Sequence, residues 1–251
     1  MIRTIERLLT FKPNSDDHGA LESREHIRCR FGKEFALDLD GVWLPQPSDT
    51  TVLFIHGNRH NITRFGDHYD LFRDLGVSCF AFDYPGYGLS RGSPSESVLY
   101  ASARAAYSFL VHHHQIAPTS LVLYGCSLGG AVALDLAIHH KAACLVTEST
   151  FTNSHAMAKQ LYPYIPIQRF MTNRFQNDTK VGDVHYPHLL LHGERDPLVP
   201  VRMAIELHQR ASEPKQLLIV PEATHTNTIS VGGAPLREAI GAFIKTAVAG
   251  R

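Results

Sequence analysis

The sequence predicts an α/β protein built on a parallel sheet with helices on both faces, and three observations carry that reading. Apolar runs of strand length alternate with periodic runs of helix length from Ile27 onward, the pattern of a parallel sheet covered by helices. No internal repeat or low-complexity linker interrupts the alternation. The chain has 251 residues, 44% of them hydrophobic and 19% charged, which is long enough for one sizeable core and shows no bias toward disorder or fibre. Residues 1–251 therefore read as a single domain.

Taken in order, Ile27–Phe31 and Phe35–Leu44 form an opening antiparallel pair. Val52–Ile55, Val77–Phe82, Leu121–Tyr124, Ala143–Thr147, His188–Leu191 and Gln216–Val220 follow as buried strands, being short apolar runs rich in β-branched and aromatic residues. Between them, Ile62–Leu75, Ser95–His114, Gly130–His140, Val201–Arg210 and Ala234–Val248 have the length and spacing of helices. The exception is the stretch 151–186, which has prolines, the aromatic residues Tyr162, Tyr164, Phe170 and Phe175, and no clear strand. It is a candidate cap over a site.

The chemistry concentrates where strands end. Gly125-Cys126-Ser127-Leu128-Gly129 joins a strand to a helix-like run, and a serine on so sharp a turn projects its hydroxyl out of the sheet. Glycines two positions either side leave room for the fold of the backbone. The first N–H groups of the following helix, Leu128 foremost, face the place where an oxyanion would develop. A serine needs a base and an orienting acid. Asp196 lies in the loop after Leu189-Leu190-Leu191, and His225 in the loop after Gln216–Val220. The chain order Ser127, Asp196, His225 differs from the orders in chymotrypsin-like and subtilisin-like proteases and is the one found in α/β-hydrolases. A second oxyanion donor is expected after the third strand, where His56-Gly57-Asn58 places the Asn58 N–H.

On His56-Gly57-Asn58, the run Asp83–Gly92, the serine turn, His192-Gly193 with Asp196 and Val199-Pro200, and His225, the chain resembles the α/β-hydrolase superfamily over most of its length. The resemblance is to its small esterase and acyl-protein thioesterase branch. It implies an eight-stranded, mostly parallel sheet, and hydrolysis of an ester, thioester or amide with no metal or organic cofactor. Two features depart from that branch. Arg59 and His60 stand where small residues are usual, and Glu222–Asn227 lacks the glycine and acidic residue often found around the histidine.

Arg59 and His60 are thus placed to reach a pocket mouth, where Arg59 could pair with a carboxylate or phosphate or remain solvated. Tyr162, Tyr164, Ile165, Ile167 and Phe170 either line an acyl pocket or form a satellite core. Glu148, at the end of the strand after the serine turn, and Asp183, in the cap stretch, are rival acids to Asp196, which alone has a strand end with His192-Gly193 before it. His56 and His192 suit side chains bonding local backbone. The glycine-rich loop after Asp83 lacks the endings of phosphate-binding loops and reads as a structural turn supporting the oxyanion strand. Consecutive His112-His113-His114 point about 100 degrees apart on a helix and cannot converge on one ion, so no metal is assigned.

The 24 basic and 24 acidic residues balance, which excludes a general attraction to nucleic acid and fits a small-molecule or acylated substrate. Cys29, Cys79, Cys126 and Cys144 are widely spaced, as free thiols in a reducing cytosol would be. No run reaches the length of a membrane span and the N-terminus has no signal-peptide pattern, so a cytoplasmic location is expected. Residues 1–11 carry apolar residues at helical spacing; they would either pack on the domain or make weak contact with a membrane surface. Carboxylester hydrolysis is the first expectation. An acyl-protein or acyl-CoA thioesterase, a peptidase and a non-catalytic binder on the same fold stand behind it.

Overall fold

The inner strands of the computed structural model, which describes residues 10–165 and 171–250, divide their side chains between two cores. Along β3 (Thr51–Ile55), Leu53 and Ile55 enter one core while Val52 and Phe54 enter the other, as the two-residue period of a strand requires. β5 (Leu121–Cys126) does the same with Leu121 and Leu123 against Val122, Tyr124 and Cys126. A strand buried on both faces needs an apolar residue at nearly every position, which is why these runs are uninterrupted in the sequence.

The remaining strands are β1 (Ile27–Phe31), β2 (Leu39–Leu44), β4 (Ser78–Phe82), β6 (Cys144–Glu148), β7 (His188–Gly193) and β8 (Lys215–Val220). They form one eight-stranded sheet in the order β1-β2-β4-β3-β5-β6-β7-β8. β1, β2 and β4 pair antiparallel, and all pairings from β4 through β3 to β8 are parallel. The C-terminal ends of β3 and β5–β8 therefore open on one edge, where loops of an α/β sheet assemble sites.

Seven α-helices cover the two faces: α1 (Gly66–Asp74), α2 (Glu96–Ser108), α3 (Leu128–His139), α4 (Ser154–Leu161), α5 (Asn177–Lys180), α6 (Val201–Arg210) and α7 (Thr228–Ala249), counted among the described residues. α1 and α7 supply Tyr69, Phe72, Ile240 and Phe243 to one core; α2, α3 and α6 supply Leu99, Ala103, Leu134 and Leu207 to the other. Among the described residues no helix is long and apolar enough to cross a membrane.

Several boundaries differ from the sequence reading, each for a local reason. The expected strand Phe35–Leu44 begins only at Leu39, because Lys33–Phe35 makes a 3-10 turn closed by left-handed Gly32 and Ala36. The expected helix Ile62–Leu75 splits into a 3-10 turn, capped by the Asn61 side chain on the Thr63 N–H, and α1. α3 starts two residues before Gly130, directly at the serine turn. α7 starts at Thr228 rather than Ala234 and kinks at Gly233, whose φ of 56° breaks the helix just before Pro235. Most of the N-terminal segment 1–11, Ile167 and Phe170 lie outside the described residues.

Candidate active site

The serine turn is a backbone feature before it is a chemical one. Ser127 has φ 53° and ψ −114°, a conformation costly for a residue with a Cβ and stable only where the surroundings enforce it. The glycines show how. A Cβ on Gly125 would run into the Gly129 carbonyl, and one on Gly129 would run into Ile55 O at the end of β3. The Ser127 N–H is held by Glu148 O at 2.7 Å. With β3, β5 and β6 so close, Ser127 has one direction left for its side chain.

The loops after β7 and β8 are locked in the same way. A Cβ on Gly193 would strike the Ala223 and Thr224 carbonyls, and Glu194 N–H and Arg195 N–H donate to Val220 O and Ala223 O at 3.0 and 2.9 Å. The Asn227 side chain accepts the Thr224 N–H at 2.7 Å. These contacts bring His225 beside Asp196.

His225 consequently bridges the other two residues, with Nδ1 2.6 Å from Asp196 Oδ2 and Nε2 3.1 Å from Ser127 Oγ. The second oxygen, Asp196 Oδ1, accepts the Leu198 and Val199 N–H groups, each at 2.8 Å. Burial alone would raise the Asp196 pKa, but hydrogen bonds from His192 and His225, the charge of His225 and the Val199 N–H hold it well below the usual carboxylate range. His192, expected to bond local backbone, does donate from Nε2 to Val199 O at 2.8 Å. The same nitrogen is also 3.4 Å from Asp196 Oδ2, a contact that sequence spacing did not suggest.

The loop after β3 faces the serine turn: a Cβ on Gly57 would touch Ser127 Cβ at 3.4 Å. Asn58 spends its side chain on structure, accepting from Lys12 N–H and Tyr87 O–H and donating to Thr10 O. Leu128 is the first residue of α3, so its N–H has no intrahelical acceptor. The run after Asp83 supports this loop as expected, with Tyr84 O–H on His56 O at 2.9 Å and Tyr87 O–H on Asn58 O at 3.0 Å. His56 Nδ1 donates to Gly57 O at 2.7 Å.

Ser127, His225, Leu128, Gly57 and Asn58 line a cavity of about 1100 Å³, with Asp196 and His192 buried behind His225. The polar part of its wall carries the basic Lys12, His18, Arg59, His60 and Arg64 beside the acidic Asp67 and Glu148; the apolar part comes from Phe151, Met157, Ala158, Leu161, Tyr162, Met171 and Phe175. Arg59 is exposed at the mouth and makes no ion pair among the described residues. His60 stands edge-on to His18, and burial, with His18, Arg64 and Arg59 nearby, lowers its pKa. Tyr164 is a correction. It is 96% exposed and does not line the cavity, because α4 ends at Leu161 and a turn closed by Ile165 N–H on Tyr162 O carries it outward past Pro163. Glu148, a rival acid in the sequence, bonds His68 Nε2 at 2.9 Å; Asp183 sits in an exposed turn.

Comparison with known proteins agrees with the fold. A family model described as serine aminopeptidase, S33, matches residues 46–181, and a second, described as TAP-like protein, matches 166–249. The chain belongs to the α/β-hydrolase superfamily. Within it, an uncharacterised protein of Mycobacterium tuberculosis is 33% identical over 217 residues, 85% of this chain and 77% of that one. The uncharacterised protein YfhR of Salmonella typhi is 31% identical over 224 residues, 82% and 75% of the two chains. Among solved structures, the Pyrococcus furiosus esterase Pf2001 superposes with a TM-score of 0.78 at 20% identity, covering 94% of this α/β-hydrolase and 99% of the esterase. Est1E of Butyrivibrio proteoclasticus, solved with ferulic acid, superposes with a TM-score of 0.71 at 15% identity, covering 88% and 100%.

Proposed function

We propose that this α/β-hydrolase is a serine hydrolase that cleaves carboxylic esters or thioesters through an acyl-enzyme on Ser127. The observation that carries the reading is His225, hydrogen-bonded at once to Asp196 and Ser127 on the floor of a cavity large enough for an acyl group. In this mechanism His225 Nε2 takes the Ser127 proton as Oγ attacks the acyl carbon. Asp196 fixes the tautomer that leaves Nε2 free and steadies the imidazolium. The Asn58 and Leu128 N–H groups stabilise the oxyanion, and His225 returns the proton to the leaving group. Water, deprotonated by the same histidine, then releases the acid.

The make-up of the cavity lining supports a reading of the two ends of the substrate. The apolar wall, formed largely by segment 151–186 acting as a cap, takes the acyl chain, and the basic wall with Arg59 and His60 takes the leaving-group side. None of the four cysteines is in a disulfide, which fits work in a reducing cytosol. The peptidase reading, which the description of the matched family brings in, asks for a carboxylate facing a substrate amine; Glu148 is already engaged by His68 and Tyr124, while the exposed Asp67 on the cavity lining keeps that reading as the second one to test.

A fluorophosphonate probe tests the nucleophile, and a panel of nitrophenyl esters, acyl-CoA thioesters and aminoacyl nitroanilides tests the bond. The expected result is a single label on Ser127 and hydrolysis of the oxygen or sulfur esters ahead of the anilides. Anilides cleaved faster than every ester would replace this reading by the peptidase one.

A further inference from the structure

Beside the serine turn, three side chains converge that the hydrolytic mechanism leaves unused. His68 comes from α1, Cys126 from the end of β5 and Glu148 from the end of β6. His68 Nε2 lies 2.9 Å from Glu148 Oε2, and Cys126 Sγ lies 3.3 Å from each of those atoms. We propose that His68, Cys126 and Glu148 are a binding site for a thiophilic divalent cation of the zinc type.

Geometry is the first support. A tetrahedral zinc ion with N and O ligands at about 2.0–2.2 Å and a sulfur at about 2.3 Å sets its ligand atoms roughly 3.3 to 3.6 Å apart. The three atoms need only spread by a few tenths of an ångström to accept it. Charge is the second. A thiolate and a carboxylate beside a neutral imidazole carry two negative charges, matching the cation, and the Cys126 thiol proton leaves to solvent as the ion enters. The third support is the outer shell: the Tyr124 hydroxyl donates to Glu148 Oε2 at 2.7 Å and orients the carboxylate. Finally, there is an entry path. All three side chains line the main cavity, so the fourth coordination position faces space that water can fill. A simple buried ion pair between His68 and Glu148 would not require a thiol in contact with both.

The site adjoins the nucleophile in sequence and shares its cavity, so occupancy has a consequence that rests on the serine hydrolase reading. An ion there, with its bound water, takes up space in the shared cavity beside Ser127 and crowds the acyl group. The cation is thus an inhibitor of ester hydrolysis, acting through Cys126.

The test is a cobalt titration of the full chain after chelator treatment, followed by zinc displacement. One equivalent of cobalt should give a thiolate-to-metal charge-transfer band that zinc abolishes. Losing an outer-shell partner typically weakens metal binding by about 10- to 100-fold, so Cys126→Ala, which removes a ligand, should lose the band and bind zinc at least about 100-fold more weakly. Ser127→Ala should keep the band, which separates the site from catalysis. Zinc should inhibit ester hydrolysis by the wild type and spare Cys126→Ala at the same concentration. No band in the wild type, a band surviving in Cys126→Ala, or equal zinc inhibition of both proteins would overturn the proposal. Should Cys126→Ala fail to fold, Glu148→Gln serves instead: it should keep the band but require at least about tenfold more cobalt, and an unchanged titration would count against the site. If the wild type hydrolyses no ester, the function reading falls while the cobalt band still decides the metal site.

Discussion

The floor and the walls of the cavity are made in different ways. On the floor, Ser127, Asp196 and His225 occupy loops at the ends of β5, β7 and β8, clamped by backbone that tolerates no side chain at Gly125, Gly129 or Gly193. The walls come from segments distant in the chain. Lys12 and His18 meet Arg59 and His60 on one side, while α4, Met171 and Phe175 stand on the other. A floor fixed by backbone holds one geometry, which bond-making needs, whereas walls of side chains can change with the substrate while the floor stays. Replacing floor residues should therefore damage every substrate alike, and replacing wall residues should discriminate between substrates.

The largest effect expected on that view is from Ser127→Ala. Ester hydrolysis should fall by about 10⁴ to 10⁶ in kcat for every acyl chain and leaving group, with covalent probe labelling lost and the melting temperature nearly unchanged. Label that moved to Cys126 would show that the nucleophile had been placed one residue too far along the chain.

Next comes a comparison within the floor. Asp196→Asn should cost on the order of 10⁴ in kcat, since an amide favours the wrong tautomer of His225. Glu148→Gln, on the neighbouring strand end, should cost far less because its side chain bonds His68, Tyr124 and Cys126 and not His225. A larger loss in Glu148→Gln would transfer the role of the acid to β6.

Glu148 should instead be visible in acid stability. Burial pushes its pKa up, but the charge of His68 and hydrogen bonds from His68, Tyr124 and Cys126 outweigh burial and bring it down to about 2. A carboxyl whose pKa is lower in the folded than in the unfolded chain stabilises the fold above the unfolded value, near 4.3, and loses that contribution as pH falls through the folded value. Asp196 is shifted in the same direction. The melting temperature of Glu148→Gln should lie below that of the wild type at pH 7, and the gap should close between about pH 5 and pH 2. A gap of constant size would mean that Glu148 contributes through packing alone.

How far the sequence reveals these regions follows from the same contrast. A strained serine turn demands Gly125 and Gly129 within two residues, and the acid loop announces itself through Asp196-Pro197, where proline presets the turn that presents Leu198 and Val199 N–H groups to Oδ1. Buried strands need continuous apolar runs, so their existence was legible, while their ends depended on turns such as Lys33–Phe35 that hydrophobic periodicity does not mark. The walls leave no such local signature. Tyr162 and Tyr164 are two residues apart and alike in chemistry, yet one lines the cavity and the other points to solvent, because the turn after α4 separates them. His68 was hidden for a related reason: it meets Cys126 and Glu148 across 58 and 80 residues, and only the pairing of β3, β5 and β6 under α1 brings them together.

The smallest and most selective effect expected is at the wall residue Arg59. Its guanidinium is exposed at the cavity mouth with no ion pair among the described residues, directly after Asn58. That leaves its paired N–H donors open to an anionic group on the leaving-group side. Arg59→Ala should lower kcat/KM for esters bearing a carboxylate or phosphate by roughly 1.5 to 3 kcal/mol, the scale of a charged hydrogen bond. Neutral esters of the same acyl chain should be almost unaffected. The comparison is made within one protein, so any general disturbance of the Asn58 N–H cancels. A loss shared equally by charged and neutral esters would assign Arg59 to the floor, as a support of the oxyanion loop; a loss confined to anionic esters would identify the substrate class that the basic wall selects.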